Sequence, residues 1–347
     1  MEDWLTAALH APAVLVTVAI VEGSVPREPG AKMLVTREGF AGTVGGGHLE
    51  HRAIELARAM LEEGGHARLE RFALGPSLGQ CCGGIAHLVF DIVEREQMAL
   101  LDRRRADDTW RLVEIDAADA RGPGGLFDGN GRRLAGDPAP AFDRTLGTHV
   151  FTDDTGRRWL ADAIFAPRAH LMLFGAGHVG AAIVRALAEL PCRVTWVDER
   201  DDMFPASVPA NVTVEATDTP ETLVAQAAPG TTFLVMTHSH ALDLRLSIAI
   251  LSRPRTVEHT DWFGLIGSDT KRRQFEHRLR ERGLDQARID AMVCPIGLPG
   301  ITGKAPAVIA AAVAAQLLTV WEAAAAATLA SAAVMAPSLL EASSEPH

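Results

Sequence analysis

The residues able to do chemistry fall into short blocks. Gly79-Gln80-Cys81-Cys82-Gly83-Gly84 sets two adjacent thiols among glycines. Glycine lets a bulky ligand reach the backbone and lets a thiol move. Neighbouring cysteines bridge only with strain, which argues against a permanent disulfide between them. A thiolate here can ligate a soft metal or take part in sulfur transfer. Zinc fits less well, because no Cys-x-x-Cys with a matching Cys and His set appears. The bland alternative is a pair of packing cysteines in a tight turn. A second block, Gly42-Thr43-Val44-Gly45-Gly46-Gly47-His48-Leu49-Glu50, places three glycines before a helix. Successive backbone amides at a helix start form an anion cradle. Arg27 and Lys32, just upstream, are placed to add positive charge to it. A plain glycine-rich turn is the alternative there.

Two further blocks lie in the second half. Leu173-Phe174-Gly175-Ala176-Gly177-His178-Val179-Gly180 follows a strand pattern and opens a helix, and Asp198 ends the next strand 18 residues after Gly180. That is the context required of a dinucleotide-binding turn. Gly175 permits the tight turn, Gly177 lets a pyrophosphate approach the backbone, and Gly180 lets helix pack on strand. Asp198 is placed to bond a ribose hydroxyl and to repel a 2′-phosphate, which favours NAD over NADP. Thr237-His238-Ser239-His240, with Asp243, stands at the end of the fourth strand of this half, where ligands of such sheets bind. His238 and His240 suit a metal, but spacing fixes no third ligand; capping of the following helix by Ser239 or by the His side chains is the competing reading.

The elements that must position these blocks differ between the halves. Val14 to Val21, Lys32 to Thr36, Arg68 to Leu74 and Ala86 to Val93 read as strands. Leu49, Ala53, Leu56 or Ala57, and Met60 repeat at helical spacing up to Gly64-Gly65. The stretch from Arg121 to Pro140, dense in Gly, Pro and Asp, reads as a long surface loop, and strands resume at Thr148 to Thr152 and Arg158 to Phe165. From Ala169 strands at 171–174, 193–197, 211–214, 232–236 and 264–266 alternate with helices at 178–190, 219–227, 241–251 and 271–281. The expectation is an N-terminal α+β domain (1–166, with a variable loop near 119–147). A Rossmann-type doubly wound parallel-sheet domain (167–315) and an Ala-rich helix end with a loose tail (316–347) follow it.

Composition narrows the class. The chain has 347 residues, 48% apolar and 22% charged, enough for two domain cores. Its 33 Lys and Arg against 44 Asp and Glu give a net charge of −11, which argues against a nucleic-acid partner. Four cysteines are too few for a disulfide framework and point to a reducing, cytoplasmic setting. The apolar run from Ala11 to Val21 lacks a basic leader and reads as a strand rather than a signal peptide. The uncharged run from Ala323 to Leu340, mostly Ala and Ser with Pro337, makes a poor membrane span.

In this order the blocks resemble the XdhC/CoxI family of xanthine dehydrogenase accessory proteins. The resemblance rests on Gly23-Ser24-Val25-Pro26-Arg27, Gly30-Ala31-Lys32-Met33, the Gly45 to Glu50 block, the Cys81-Cys82 block, the Gly175 turn and the His238 block. Gly264-Leu265-Ile266-Gly267-Ser268 with Lys271-Arg272, and Pro295-Ile296-Gly297-Leu298, complete it, whereas Pro299 to Pro306 departs slightly from the family ending. The resemblance implies a protein that binds the molybdenum cofactor (molybdopterin) and protects it. A cysteine desulfurase supplies sulfur in exchange for a terminal oxo ligand, and the cofactor then passes to apo-xanthine dehydrogenase. Cys82 matches the family's Cys-Gly-Gly most directly, with Cys81 beside it, so one of them is expected to contact molybdenum or the sulfur in transit. Arg27, Lys32, Gly45, Gly46, Gly47, His48, Gly83 and Gly84, and in the second half Gly175, Gly177, Gly180, Asp198, His238 and His240, are the expected cofactor-binding positions. For the Rossmann half, NAD or another nucleotide, the pterin cofactor itself, and no ligand at all stay open as alternatives. A homodimer is expected from the family and from the apolar helix near 305–325. An NAD-dependent oxidoreductase is the competing function; His238 and His240 are its only obvious proton relays, since the chain has no Tyr.

Overall fold

The strand Ala13–Glu22 (β1) is apolar on both faces, and its first seven residues are buried. A strand without polar alternation must be covered on both sides. The computed structural model, which describes residues 4–7, 12–75, 83–117, 124–254 and 261–335, supplies both covers. The chain divides into two units, Glu2–Ala166 and Pro167–His347.

In the first unit, α1 (Trp4–Ala7) precedes β1, followed by β2 (Lys32–Val35), β3 (Phe40–Gly42), α2 (Gly47–Glu63), β4 (Arg68–Ala73), β5 (Ile85–Val93) and α3 (Arg95–Arg103). Then come β6 (Thr109–Ile115), β7 (Gly124–Asp128), β8 (Arg133–Gly136), β9 (His149–Thr152) and β10 (Arg158–Ile164). Two antiparallel sheets form, ordered β3-β2-β1-β5-β4 and β8-β7-β6-β10-β9. Val14, Val16 and Val18 pack with Leu49, Ala53, Ala57 and Met60 of α2. The opposite face of β1, through Ala13, Leu15 and Ala19, meets Leu126, Ile115 and Leu160 of the second sheet.

The stretch 121–140, expected as a surface loop, contains β7 and β8, and α3 and β6 lie in a region whose sequence pattern is irregular. Gly125 and Gly136 are demanded by close strand contact, and Gly136 also by its φ of 75°. A Cβ on Gly125 would stand 2.7 Å from the Asp137 carbonyl oxygen, and one on Gly136 2.8 Å from Gly125 Cα. Asp128 Oδ1 closes the turn by accepting from the amides of Asn130 and Arg132, both at 2.9 Å.

The second unit holds a parallel sheet of β11 (Ala169–Phe174), β12 (Cys192–Asp198), β13 (Val212–Ala216), β14 (Thr232–Val235), β15 (Trp262–Leu265) and β16 (Met292–Val293). Numbered along the chain, the strands lie in the order 3-2-1-4-5-6, that of a dinucleotide-binding Rossmann fold. Helices α4 (His178–Ala186), α5 (Pro220–Gln226), α6 (His240–Leu251), α7 (Asp269–Glu281), α8 (Gln286–Asp290) and α9 (Pro306–Met335) accompany it. One face is covered by α4 and α9, the other by α5 to α8. Helix α9 is long and apolar enough to span a membrane by length and composition. Ala310, Val313, Ala314 and Leu317 are nevertheless buried in the core of its own unit.

Candidate functional site

Three of the glycine-bearing blocks converge in the first unit. The turn after β1, Gly23-Ser24-Val25-Pro26, lies against Gly84 on one side and Gly45 on the other. A Cβ on Gly84 would collide with the carbonyl oxygens of Ser24 and of Glu22, the latter at 2.6 Å. A Cβ on Gly45 would run into the Pro26 ring, 2.9 Å from its Cβ, and Gly45 holds φ at 127°, where L side chains are strained. The backbone entering β5 and the backbone entering α2 therefore grip one turn between them. Gly46 and Gly83 border open space, with nothing within 4 Å of a Cβ at either. Cys81 and Cys82 lie outside the described residues, immediately before this anchored pair of glycines.

The charges around the three glycines are arranged differently from the expectation. Glu50 reaches back over the start of α2: its Oε2 accepts from the Thr43 hydroxyl at 2.5 Å and from the Gly46 amide at 3.2 Å. The protein's own carboxylate thus takes part of the anion cradle expected at Gly45, Gly46 and Gly47. Arg27 stands beside it, donating to the Thr43 carbonyl at 3.5 Å and pairing with Glu28 at 3.4 Å. His48 is exposed on the first turn of α2. Lys32, expected to add charge here, is buried elsewhere. Its Nζ lies 2.8 Å from both Asp162 Oδ1 and the Gly30 carbonyl oxygen. Asp162 pairs with Arg111 at 3.2 Å, and Arg111 with Asp91 at 2.5 Å, so Lys32 ends a chain of ion pairs between the two sheets. A lysine on an apolar strand must find such a partner, because an unpaired buried charge is too costly.

In the second unit the three roles assigned to the Gly175 turn separate cleanly. A Cβ on Gly175 would meet Met236, with the carbonyl carbon at 2.8 Å, and one on Gly180 would meet the Gly175 carbonyl oxygen. Both glycines are demanded by packing. Gly177 has an ordinary φ of −75° and nothing within 4 Å, so only something approaching from outside would need glycine there. Asp198 is 5% exposed and caps the turn by accepting from the Ala176 amide at 2.7 Å. Arg200, which the sequence reading passed over, binds the same carboxylate through Nε at 2.9 Å and Nη2 at 3.0 Å. Burial alone would raise the Asp198 carboxyl, but the donors from Arg200 and Ala176 outweigh it and hold it below the ordinary range. The signal that could have found Arg200 is an acid and a base two residues apart at a strand end.

Beside Asp198, Phe174, Val197, Thr237, His238 and Leu242 line a recess of ≈ 230 Å³ including its open mouth. Sites that enclose a cofactor-sized ligand run to about 300–1,000 Å³. His238 and His240 are exposed, and Ser239 caps α6 by accepting from the Leu242 amide at 3.3 Å. Asp243, fully buried, fixes this loop through the Thr237 amide at 3.0 Å and hydroxyl at 2.7 Å, and takes Lys271 Nζ at 2.6 Å. No cluster of three or more His, Cys, Asp or Glu suited to a metal occurs among the described residues. Cys192 and Cys294 are buried and free, and burial pushes both thiols up to about 11. They are protonated at neutral pH and unsuited to thiolate chemistry.

Comparison with known proteins adds an independent line. A solved structure described as a xanthine dehydrogenase from Bacillus halodurans superposes with a TM-score of 0.71, covering 93% of this chain and 96% of that one at 20% identity, a likeness of fold. No curated protein matches the sequence. Residues 171–317 match the family described as the XdhC Rossmann domain, and residues 7–73 match the XdhC and CoxI family. The two regions together span more than half of the 347 residues, and the chain belongs to the XdhC family.

Proposed function

We propose that this protein is a molybdenum-cofactor chaperone. It protects the cofactor, supports its sulfuration by a cysteine desulfurase and delivers it to apo-xanthine dehydrogenase. Membership of the XdhC family supports the broader role, maturation of xanthine dehydrogenase. The match to a structure described as a xanthine dehydrogenase is consistent with that setting. In this reading the chain works in the cytoplasm as a homodimer, and the pterin is its cargo.

The observation that carries the finer reading is the convergence of the Gly23 to Pro26 turn, Gly84 and Gly45 in one place. Cys82 is two residues from Gly84 in sequence, so the turn anchors the chain just after the two cysteines. A soft thiolate suits molybdenum or sulfur, and Arg27 supplies positive charge for a phosphate. Gly46 and Gly83, which border open space, leave side-chain-free surface for a flat ring to approach. Because Cys192 and Cys294 are buried and protonated, thiol chemistry falls to Cys81 and Cys82. The site must hold its cargo against water and oxidants yet release it to one client, which calls for differential contacts rather than maximal affinity.

The test is fluorescence of oxidised pterin released from protein purified from a molybdopterin-producing host. Wild type, Cys81→Ala and Cys82→Ala are compared. The wild type should carry pterin and Cys82→Ala should lose most of it. A wild type that neither retains pterin nor takes it up when mixed with the cofactor would end this reading.

A further inference from the structure

Asp198 closes β12 where a doubly wound sheet holds the ribose of a dinucleotide. An ionised carboxylate accepts at about four lone-pair positions. All of them are filled from within the chain. Oδ2 takes the Ala176 amide at 2.7 Å and Arg200 Nη2 at 3.0 Å; Oδ1 takes the Arg200 amide at 3.1 Å and Arg200 Nε at 2.9 Å. The two backbone amides leave one position free on each oxygen, and the guanidinium fork fills both. A vicinal diol binds a carboxylate in the same manner, one hydroxyl to each oxygen. The Arg200 side chain therefore stands where a ribose would.

We propose that Arg200 is a specificity-determining plug, which withholds Asp198 from vicinal diols and bars ribose-bearing ligands, NAD foremost, from the Rossmann crevice. The neighbouring recess, ≈ 230 Å³ with its mouth included, lies below the range of sites that enclose a whole cofactor-sized ligand. Nor is Arg200 set up to receive a 2′-phosphate, because Glu199 and Asp202 bear on the same guanidinium and would repel one. The plug is a half-exposed side chain, so removing it leaves the Ala176 cap in place. The inference concerns the second unit alone and stands whether or not the first unit carries a pterin.

Calorimetric titration of the full chain with NAD+ and with NADP+ tests it. The proteins are wild type, Arg200→Ala, Arg200→Gln and the double variant Arg200→Ala with Asp198→Asn. Both single variants should bind NAD+ about tenfold or more tighter than wild type, the equivalent of one or two restored hydrogen bonds. The double variant should lose that gain. Equal NAD+ affinity in wild type and Arg200→Ala overturns the proposal, provided circular dichroism shows native folds. So does NADP+ binding by wild type that Arg200→Ala abolishes, since Arg200 would then be a phosphate receiver.

Discussion

Burial of a thiol has a consequence for stability that runs in one direction. Cys192 is enclosed in the Rossmann core, where Asn211 Nδ2 donates to its sulfur at 3.7 Å, and Cys294 sits at the end of β16 beside Gly267. Burial raises both thiols from an ordinary 9.0 to about 11, against the Asn211 bond in one case and Lys271 and Arg272 in the other. An acid whose folded value is raised keeps its proton while the unfolded chain has lost it. Between pH 9.0 and about 11 the folded state therefore binds more protons, and stability falls as pH rises through that window. Below 9.0 the contribution is fully present. The loss is on the order of 2–3 kcal/mol per thiol. Denaturant midpoints across the window should fall in the wild type and flatten in a Cys192→Ala, Cys294→Ala variant, relative to each protein's value at about pH 8. The absence of Tyr removes a group that would titrate in the same range.

At the scale of elements, the junction of turn and strand in the first unit can be tested one residue at a time. Gly84→Ala forces a methyl group into the Glu22 and Ser24 carbonyls, contacts between backbone segments that cannot step aside like a flexible side chain. It should cost about 1–3 kcal/mol, as overpacking does, read from urea denaturation. Gly83→Ala meets nothing within 4 Å and should stay within about 0.5 kcal/mol. Equal effects would mean that Gly84 does not hold the turn. This junction was legible in sequence only as glycine-rich blocks; which carbonyl each glycine meets depends on strands far apart in the chain. The Rossmann unit was more legible, since each strand and helix follows locally from its own pattern and the Gly175 turn marks the first crossover. The hairpin of β7 and β8 was hidden because its glycines look like loop residues until the partner strand is present. The partners of Lys32 and Asp198 were not legible for a shared reason: a charged residue in sequence carries no sign of the partner that will occupy it. Asp162 and Arg200 are those partners, and only Arg200 is close along the chain.

For the whole molecule, the question is whether the chain is one cooperative structure or two. Each hydrophobic cluster draws its residues from a single unit. Those around α2 and between the antiparallel sheets use residues up to Ile164, and those on the two faces of the parallel sheet begin at Ala169. The buried ion pairs follow the same division: Lys32, Asp162, Arg111 and Asp91 in one unit, Asp243 and Lys271 in the other. Either unit exceeds the size at which a core usually sustains itself, about 70–80 residues. Expressed separately, Glu2–Ala166 and Pro167–His347 should each unfold in one cooperative transition, with near-ultraviolet dichroism showing fixed aromatic packing. Trp110 and Trp159 report on the first and Trp196 on the second, all fully buried. A unit that collapsed without fixed tertiary packing would show that its core needs the rest of the chain. Separation also assigns ligands. If the pterin is held at the Gly84 junction, the first unit alone should retain it, whereas any gain of NAD+ binding on removing Arg200 should appear in the second unit alone. Loss of pterin from both isolated units, each well folded, would mean that the cargo needs groups from both halves.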